Sequence, residues 1–362
     1  MEGSVATKPA PTVPAAPAAP PPDRMVLPRE LTFHPSDWAV LARSWFPVAR
    51  SDEIGEKPVR IRLLDVDVVV YRTNGTARVA RDLCFHRGTA LSLGWVEGDR
   101  IVCPYHGFQY GTDGTCLAVP AHPDMAIPPK LRITTFPVAE RFGLIWTTLN
   151  GPVEPLLPEF PAWDDPDFQA IMAPTIDIAG SAGRQVEGFL DVAHFAWAHN
   201  KSFAVRENQI VPSYRVERTA RGIRAQYVSS VSNYPVGKHD LAPPDFEWLR
   251  DFEVFPPFAA RLIVHFPNGG RLHILNAASP VAARKTRLFV PLAKNFDRDL
   301  PVADVHAFNL TIFNEDRVMV ESQRPEDLPL DITMEAHIAA DRTSIAYRKL
   351  LRESGLGALY FS

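Results

Sequence analysis

The residue pattern predicts an α+β fold: an N-terminal all-β block, then a C-terminal block in which an antiparallel sheet is flanked by helices. Apolar and polar residues alternate in short runs from Val59 to Trp146, and the alternation returns between Tyr214 and Leu292. A period of 3.6 then takes over, from Val302 to Glu321 and again from about Asp341 to Arg352. Strands with helices inserted and then appended are the order expected when sheet and helices segregate.

Taken in order, the chain opens with a stretch over 1–26 dominated by Pro and Ala, with Pro20-Pro21-Pro22 near its end. Proline at that density cannot build the apolar core of a signal peptide or an amphipathic transit helix, so a disordered tail with polyproline II character is expected. Pro35-Ser36-Asp37 marks a helix start, and a short helix from Trp38 to Ser44 is stopped by Pro47. Val59, Ile61 and Leu63, then Val66, Val68 and Val70, predict two strands, and Asn74-Gly75 turns the chain into a third around Val79. Strands at Ile101-Val102 and Leu144-Ile145-Trp146 continue a β domain assigned to 27–150. Pro152, Pro155, Pro158, Pro161 and Pro166 mark a connection over 151–168, which opens a second domain assigned to 151–362. There a helix is expected around 184–199, followed by strands at Tyr214–Val216, Ile223–Tyr227, Arg261–Phe266, Arg271–Leu275 and Leu288–Leu292. Asn268-Gly269-Gly270 joins the third and fourth as a hairpin.

Composition bounds the function. Of 362 residues, 46% are hydrophobic and 22% charged, as in an ordinary soluble globular protein, and a net charge of -4 offers nothing to nucleic acid. No apolar run approaches the 18 or so residues of a membrane helix. The three cysteines, Cys84, Cys103 and Cys116, argue against a disulfide framework and for a reducing cytoplasm, where paired Cys and His are metal ligands.

Two of those cysteines stand beside histidines. Cys84-Phe85-His86 is followed, after sixteen residues, by Cys103-Pro104-Tyr105-His106. One Cys and one His from each of two neighbouring loops is the set that a Rieske [2Fe–2S] centre needs, with thiolates on one iron and imidazoles on the other. A structural zinc site with two Cys and two His uses the same donors, although Cys-x-His is an uncommon zinc spacing. Cys116 lies outside the pattern and reads as a small packing residue.

The second cluster lies in Gly188–His199, where Asp191, His194 and His199 interrupt an otherwise apolar run. On a continuous helix these three and Glu187 fall within an arc of roughly 140°. Buried ionisable groups must pair or bind something, and two imidazoles with a carboxylate are the ligand set of a non-haem Fe(II) centre. The His–His spacing of five requires a widened or fraying turn. On the helix over Val302–Glu321, Asp316 falls near the centre of an apolar face made by Val305, Phe308, Ile312, Phe313 and Val320, with Glu315 at its edge.

These motifs resemble the ring-hydroxylating and demethylating Rieske non-haem iron oxygenases. Cys84-Phe85-His86-Arg87-Gly88 and Cys103-Pro104-Tyr105-His106-Gly107-Phe108 resemble the cluster signature, and Arg141–Trp146 the end of the cluster domain. Asp191–His199 resembles the mononuclear iron motif, and Glu315–Gln323 the segment with the third ligand. Ala121–Met125 and Tyr347–Arg352 fit the short branch with an α subunit alone, that of dicamba O-demethylase, caffeine N-demethylases and saxitoxin-type hydroxylases. The resemblance implies a [2Fe–2S] cluster on Cys84, His86, Cys103 and His106, and Fe(II) on His194, His199 and Asp316. It implies that Asp191 is no ligand but joins His106 of one subunit to His194 of the next, within a homotrimer. One departure stands out: Gly188 occupies the place where the family usually has Asn. Glu187 beside it is expected in a salt bridge.

The implied activity is that of a terminal oxygenase, which uses O₂ to hydroxylate or O- or N-demethylate a small aromatic or heterocyclic substrate. Electrons come from a separate reductase or ferredoxin, since no glycine-rich nucleotide loop is present to bind NAD(P)H. The hairpin over Arg261–Leu275 and the helix at Phe308 and Ile312 are expected to line the pocket, with His265, His273 and Asn276 as its polar candidates. Two other readings share parts of this pattern: a cis-dihydroxylating arene dioxygenase, whose α subunits tend to be longer, and an electron carrier or zinc-stabilised binding protein. The last leaves Asp191, His194, His199 and Asp316 without a purpose.

Overall fold

The computed structural model describes residues 27–154 and 156–357, so the expected tail over 1–26 lies outside the described residues. The α+β architecture is as expected. The N-terminal block is built from short antiparallel strands in three sheets. One holds Val59–Leu63, Val66–Thr73, Thr76–Arg81 and Thr135–Phe136; a second holds Trp95–Glu97, Arg100–Val102, Gln109–Tyr110 and Cys116–Ala118; the third joins Phe46–Arg50 to Leu144–Thr147 and Val138–Arg141. Asn74 and Gly75 both take positive φ (50° and 77°), the geometry that lets a two-residue turn follow the strand twist.

A second tight turn locks the blocks together. Leu64 and Asp65 hold φ of 49° and 63°, unfavourable for a leucine. The surroundings over-determine it. Their amides donate to Pro280 and Val281 carbonyls of the C-terminal block at 2.8 and 3.0 Å, and the Trp38 indole donates to the Leu64 carbonyl at 2.7 Å. Trp38 itself lies in α1 (Pro35–Leu41), which begins three residues before the expected Trp38, since Pro35 is tolerated in a first helical turn, and ends three before the expected Ser44.

The C-terminal block is organised by a nine-stranded antiparallel sheet. Its central run is Arg271–Ala282, Ala259–His265, Trp248–Phe255 and Ile223–Ser229, with Arg215–Arg218 at one edge. The expected strand over 288–292 is two, Lys285–Phe289 and Pro291–Lys294. Trp248–Phe255 has no counterpart in the sequence reading, because Arg250 and Asp251 are buried where alternation leads one to expect apolar side chains.

Helices cover one face of this sheet: α2 (Ala182–Leu190), α3 (Phe195–Ala198), α4 (Val302–Ser322) and α5 (Arg342–Glu353). The single helix expected around 184–199 is therefore two, broken at Asp191, whose backbone is extended (ψ 134°). The Asp191 carboxylate accepts from the Ala193 amide at 2.6 Å, a local turn that competes with helix continuation.

Beneath α2 lies a buried ionic network. Arg348 of α5 donates to both oxygens of Glu187 at 2.6 and 2.9 Å, and Arg184 and Arg348 share Glu335. The expected salt bridge of Glu187 is this one. Removing one member leaves a buried guanidinium short of counter-charge, so Glu187→Ala should cost about 3 kcal/mol or more. Urea unfolding of the metal-free chain checks this; a midpoint unchanged from wild type would show that the network carries no such weight.

Candidate metal centres

The cysteine–histidine pairs lie on two loops of matching shape. In each, the Cys amide donates to the residue five positions on, Thr89 or Phe108, and a glycine amide, Gly88 or Gly107, returns to the Cys carbonyl at 2.9 to 3.0 Å. Both glycines hold φ above +70°, a conformation open to them because they lack Cβ. The folds bring Cys84 and Cys103 together, both buried, with Tyr110 Oη 3.1 Å from the Cys84 sulfur. His86 and His106 stand edge to face with ring centroids 4.7 Å apart, and His86 also stacks on Phe108. His86 Nδ1 is buried without a hydrogen-bond partner. An orphaned ring nitrogen beside two buried thiols fits a metal-cluster ligand set.

The second site forms where α2, α3 and α4 meet. His194 and His199 flank α3 at its two ends, so the short helix after the Asp191 break brings them together despite a spacing of five. Their Nε2 atoms lie 3.0 Å apart, and Asp316 Oδ1 of α4 lies 3.4 Å from His194 Nε2 and 3.1 Å from His199 Nε2. These are the residues whose donor atoms all fall within 4.8 Å of one another. For metal–ligand bonds of ~2.1 Å, donors at right angles stand ~3 Å apart, so the triad fits one ion. The electrostatics agree. Burial works against a charged His194, yet Asp191 and Asp316 push its pKa up to about 10. Burial likewise opposes ionisation of Asp316, and the two histidines bring its pKa down to about 2. The site is built to hold positive charge.

Each histidine has its own carboxylate behind it. Asp191 lies 3.9 Å from His194 Nδ1 and keeps part of its side chain exposed. Glu315, placed at the edge of the helix face by sequence reasoning, accepts from His199 Nδ1 and from Ser202 Oγ, both at 2.8 Å. Consecutive residues of α4 thus reach opposite nitrogens of one imidazole. The signal for Glu315 was its adjacency to Asp316; its reach to Nδ1 depends on where His199 lands, which no helix wheel contains.

The triad opens on a cavity of about 710 Å³, its mouth included, walled by Phe189, Phe195, Phe203, Leu262, Val264, Leu272 and Ile274. Phe308 and Ile312 line it as expected. His265 and His273 do not: Leu262, Val264, Leu272 and Ile274 face the cavity, so period two turns both histidines to the other side of the sheet. There His273 packs on Phe168, with ring centroids 5.1 Å apart. Asn276 shares the strand face of Leu272 and Ile274 but is wholly buried and does not line the cavity. Asn233, Arg250 and Asn309 line the cavity instead, and none was singled out from the sequence. Gly188 does not face it either. A Cβ there would stand 3.4 Å from Val320 of α4, an ordinary packing contact.

Comparison with known proteins gives the same two halves. Residues 44–137 match the Rieske [2Fe-2S] domain, and residues 178–355 match the vanillate O-demethylase oxygenase C-terminal domain. The methylxanthine N1-demethylase NdmA of Pseudomonas putida is 34% identical over 323 residues, 86% of this chain and 89% of that protein. The methylxanthine N3-demethylase NdmB of the same organism is 28% identical over 338 residues, 89% of this chain and 92% of that one. The structure of NdmA with caffeine superimposes with a TM-score of 0.78 at 32% identity, covering 88% of this chain and 92% of that one.

A carboxylate behind a ligating imidazole fixes its tautomer and raises its basicity, and its loss weakens metal binding by roughly 10- to 100-fold. Glu315→Ala should therefore weaken divalent-metal binding by that factor, measured by chelator competition, with the visible absorbance of the cysteine–histidine site unchanged. Equal affinity in variant and wild type would show that Glu315 has no such hold on His199.

Proposed function

The chain belongs to the Rieske non-haem iron oxygenases as a terminal-oxygenase subunit, and on that premise we propose that it removes an N- or O-methyl group from a small aromatic or heterocyclic substrate. The carrying observation is the triad of His194, His199 and Asp316 in the wall of a largely apolar cavity. In this reading Cys84, His86, Cys103 and His106 hold the [2Fe–2S] cluster, and His194, His199 and Asp316 hold Fe(II). When bound, these groups supply one-electron transfer and O₂ activation.

The chain supplies the rest. Phe189, Phe203, Leu262 and Ile312 bury the substrate's ring, exclude water and leave a methyl group as the part facing the triad. His194 and His199, on one short helix, present both Nε2 atoms from one side and leave the cavity side of the site open. Hydroxylation of the methyl carbon gives a product that collapses to formaldehyde and the demethylated compound. Phe308 lines the wall on the α4 side.

The electrons come from a separate reductase or ferredoxin and cross between subunits. His106 is solvent-exposed and the side chain of Asp191 is partly so, as a contact from one chain to the next requires. Exposed apolar side chains occur in both blocks: Phe85, Leu93, Trp95 and Tyr105 on the cluster block, and Trp197 on α3. A head-to-tail ring of three copies would cover both patches. No helix of the described residues is long and apolar enough to cross a membrane.

Two outcomes are expected. Given a surrogate reductase, NADH and O₂, a panel of N-methyl heterocycles and aryl methyl ethers should yield formaldehyde in step with demethylated product; release of a cis-diol instead would replace this reading with ring dihydroxylation. In Asp191→Ala, reoxidation of the reduced cluster site during a single turnover should slow by at least tenfold with metal content unchanged; wild-type reoxidation would remove Asp191 from the electron path.

A further inference from the structure

Among the described residues three arginines are almost wholly out of water, and they are not treated alike. Arg184 and Arg348 are each held by glutamates, Glu187 and Glu335. Arg250, 1% exposed, joins no ion pair among the described residues. Its contacts are neutral: Nη1 to Ser229 Oγ at 3.3 Å, and Nη2 to the Val231 and Ser232 carbonyls at 2.9 and 3.3 Å and to Asn233 Oδ1 at 3.0 Å. Burial draws its pKa down to about 10, which leaves it charged at neutral pH. An unpaired cation in an apolar wall is costly and calls for a reason.

Arg250 lines the same cavity as the triad, as does Asn233. A guanidinium can only donate, so it fixes Asn233 with its oxygen inward. The Asn233 Nδ2 is then buried with no acceptor among the described residues. The placement is also specific. The Arg250 guanidinium lies 5.0 Å from the centroid of Phe195, and that ring lies 4.8 Å from the centroid of His194. One aromatic ring therefore separates the positive, donor-rich wall from the metal-binding histidines.

We propose that Asn233, held in orientation by Arg250, anchors an acceptor oxygen of the substrate, a ring carbonyl or a carboxylate, on the side of the molecule opposite the methyl group that is attacked. Asn233 is the specificity residue and Arg250 the positioning residue behind it. The inference rests on the demethylase reading and narrows its substrate class to rings that carry such an oxygen.

The test reads binding rather than turnover, so a failure to release formaldehyde and a failure of this inference remain distinguishable. Metal-loaded, full-length protein is dialysed anaerobically against 3-methoxybenzoate, 3-methoxybenzamide and 3-methylanisole, which lacks the acceptor. Wild type should bind one or both acceptor-bearing rings at least about tenfold more tightly than 3-methylanisole. A preference for the benzoate assigns an anionic substrate; equal binding of benzoate and benzamide, or a preference for the benzamide, assigns a carbonyl. Asn233→Leu should bring the ratio near one with 3-methylanisole binding unchanged. Asn233→Asp, which keeps an acceptor for Arg250 but loses the donor, should weaken the benzoate most. Arg250→Lys should weaken the acceptor-bearing rings alone, whereas a merely structural role would weaken all three. Absence of any preference in wild type, or a preference that survives in Asn233→Leu or Asn233→Asp, overturns the proposal.

Discussion

Two imidazole nitrogens 3.0 Å apart, with a carboxylate oxygen within 3.4 Å of both, form a buried donor set in which positive charge, on a metal ion or a proton, is stabilised. The rest of the C-terminal block can be understood as the structure that imposes this convergence. The helix must break at Asp191 so that a new short helix can carry His194 and His199 at its two ends. Residues Glu315 and Asp316 of α4 must reach His199 from opposite sides. Each part is anchored from behind: α2 by the buried Arg184–Glu187–Arg348–Glu335 network, and its packing on α4 by Gly180 and Gly188, which both close on Val320.

Gly188, where the family usually has Asn, does not line the cavity, and a Cβ there would only come into ordinary contact with Val320. The polar residues of the cavity lie on the sheet side, Asn233 and Arg250, and on α4, Asn309. A cavity whose apolar walls grip a ring and whose donors are grouped in one wall can orient a substrate as well as bury it.

Much of this was legible in the sequence, for physical reasons. The alternation at Val59–Val70 and the 3.6 period of α4 reflect faces half in and half out of the core. The short Cys–His spacings survive as geometry because each pair lies within one tight loop. Other features depended on tertiary placement. Trp248–Phe255 was missed because its interior positions hold Arg250 and Asp251, whose partners come from neighbouring strands and loops. The continuous helix over 184–199 was expected because composition does not register a single Asx turn at Asp191. His265 and His273 are candidates for the pocket on sequence alone, because hairpin membership says nothing about which face a residue uses until the register is known.

One chain holds two separate iron sites of different kinds. Iron, zinc and acid-labile sulfide analysis of purified wild type and Asp316→Ala checks this. Wild type should carry about three irons and about two sulfides per chain, and the variant should lose one iron with sulfide unchanged. Zinc in place of iron, or an iron count in Asp316→Ala equal to that of wild type, would contradict it.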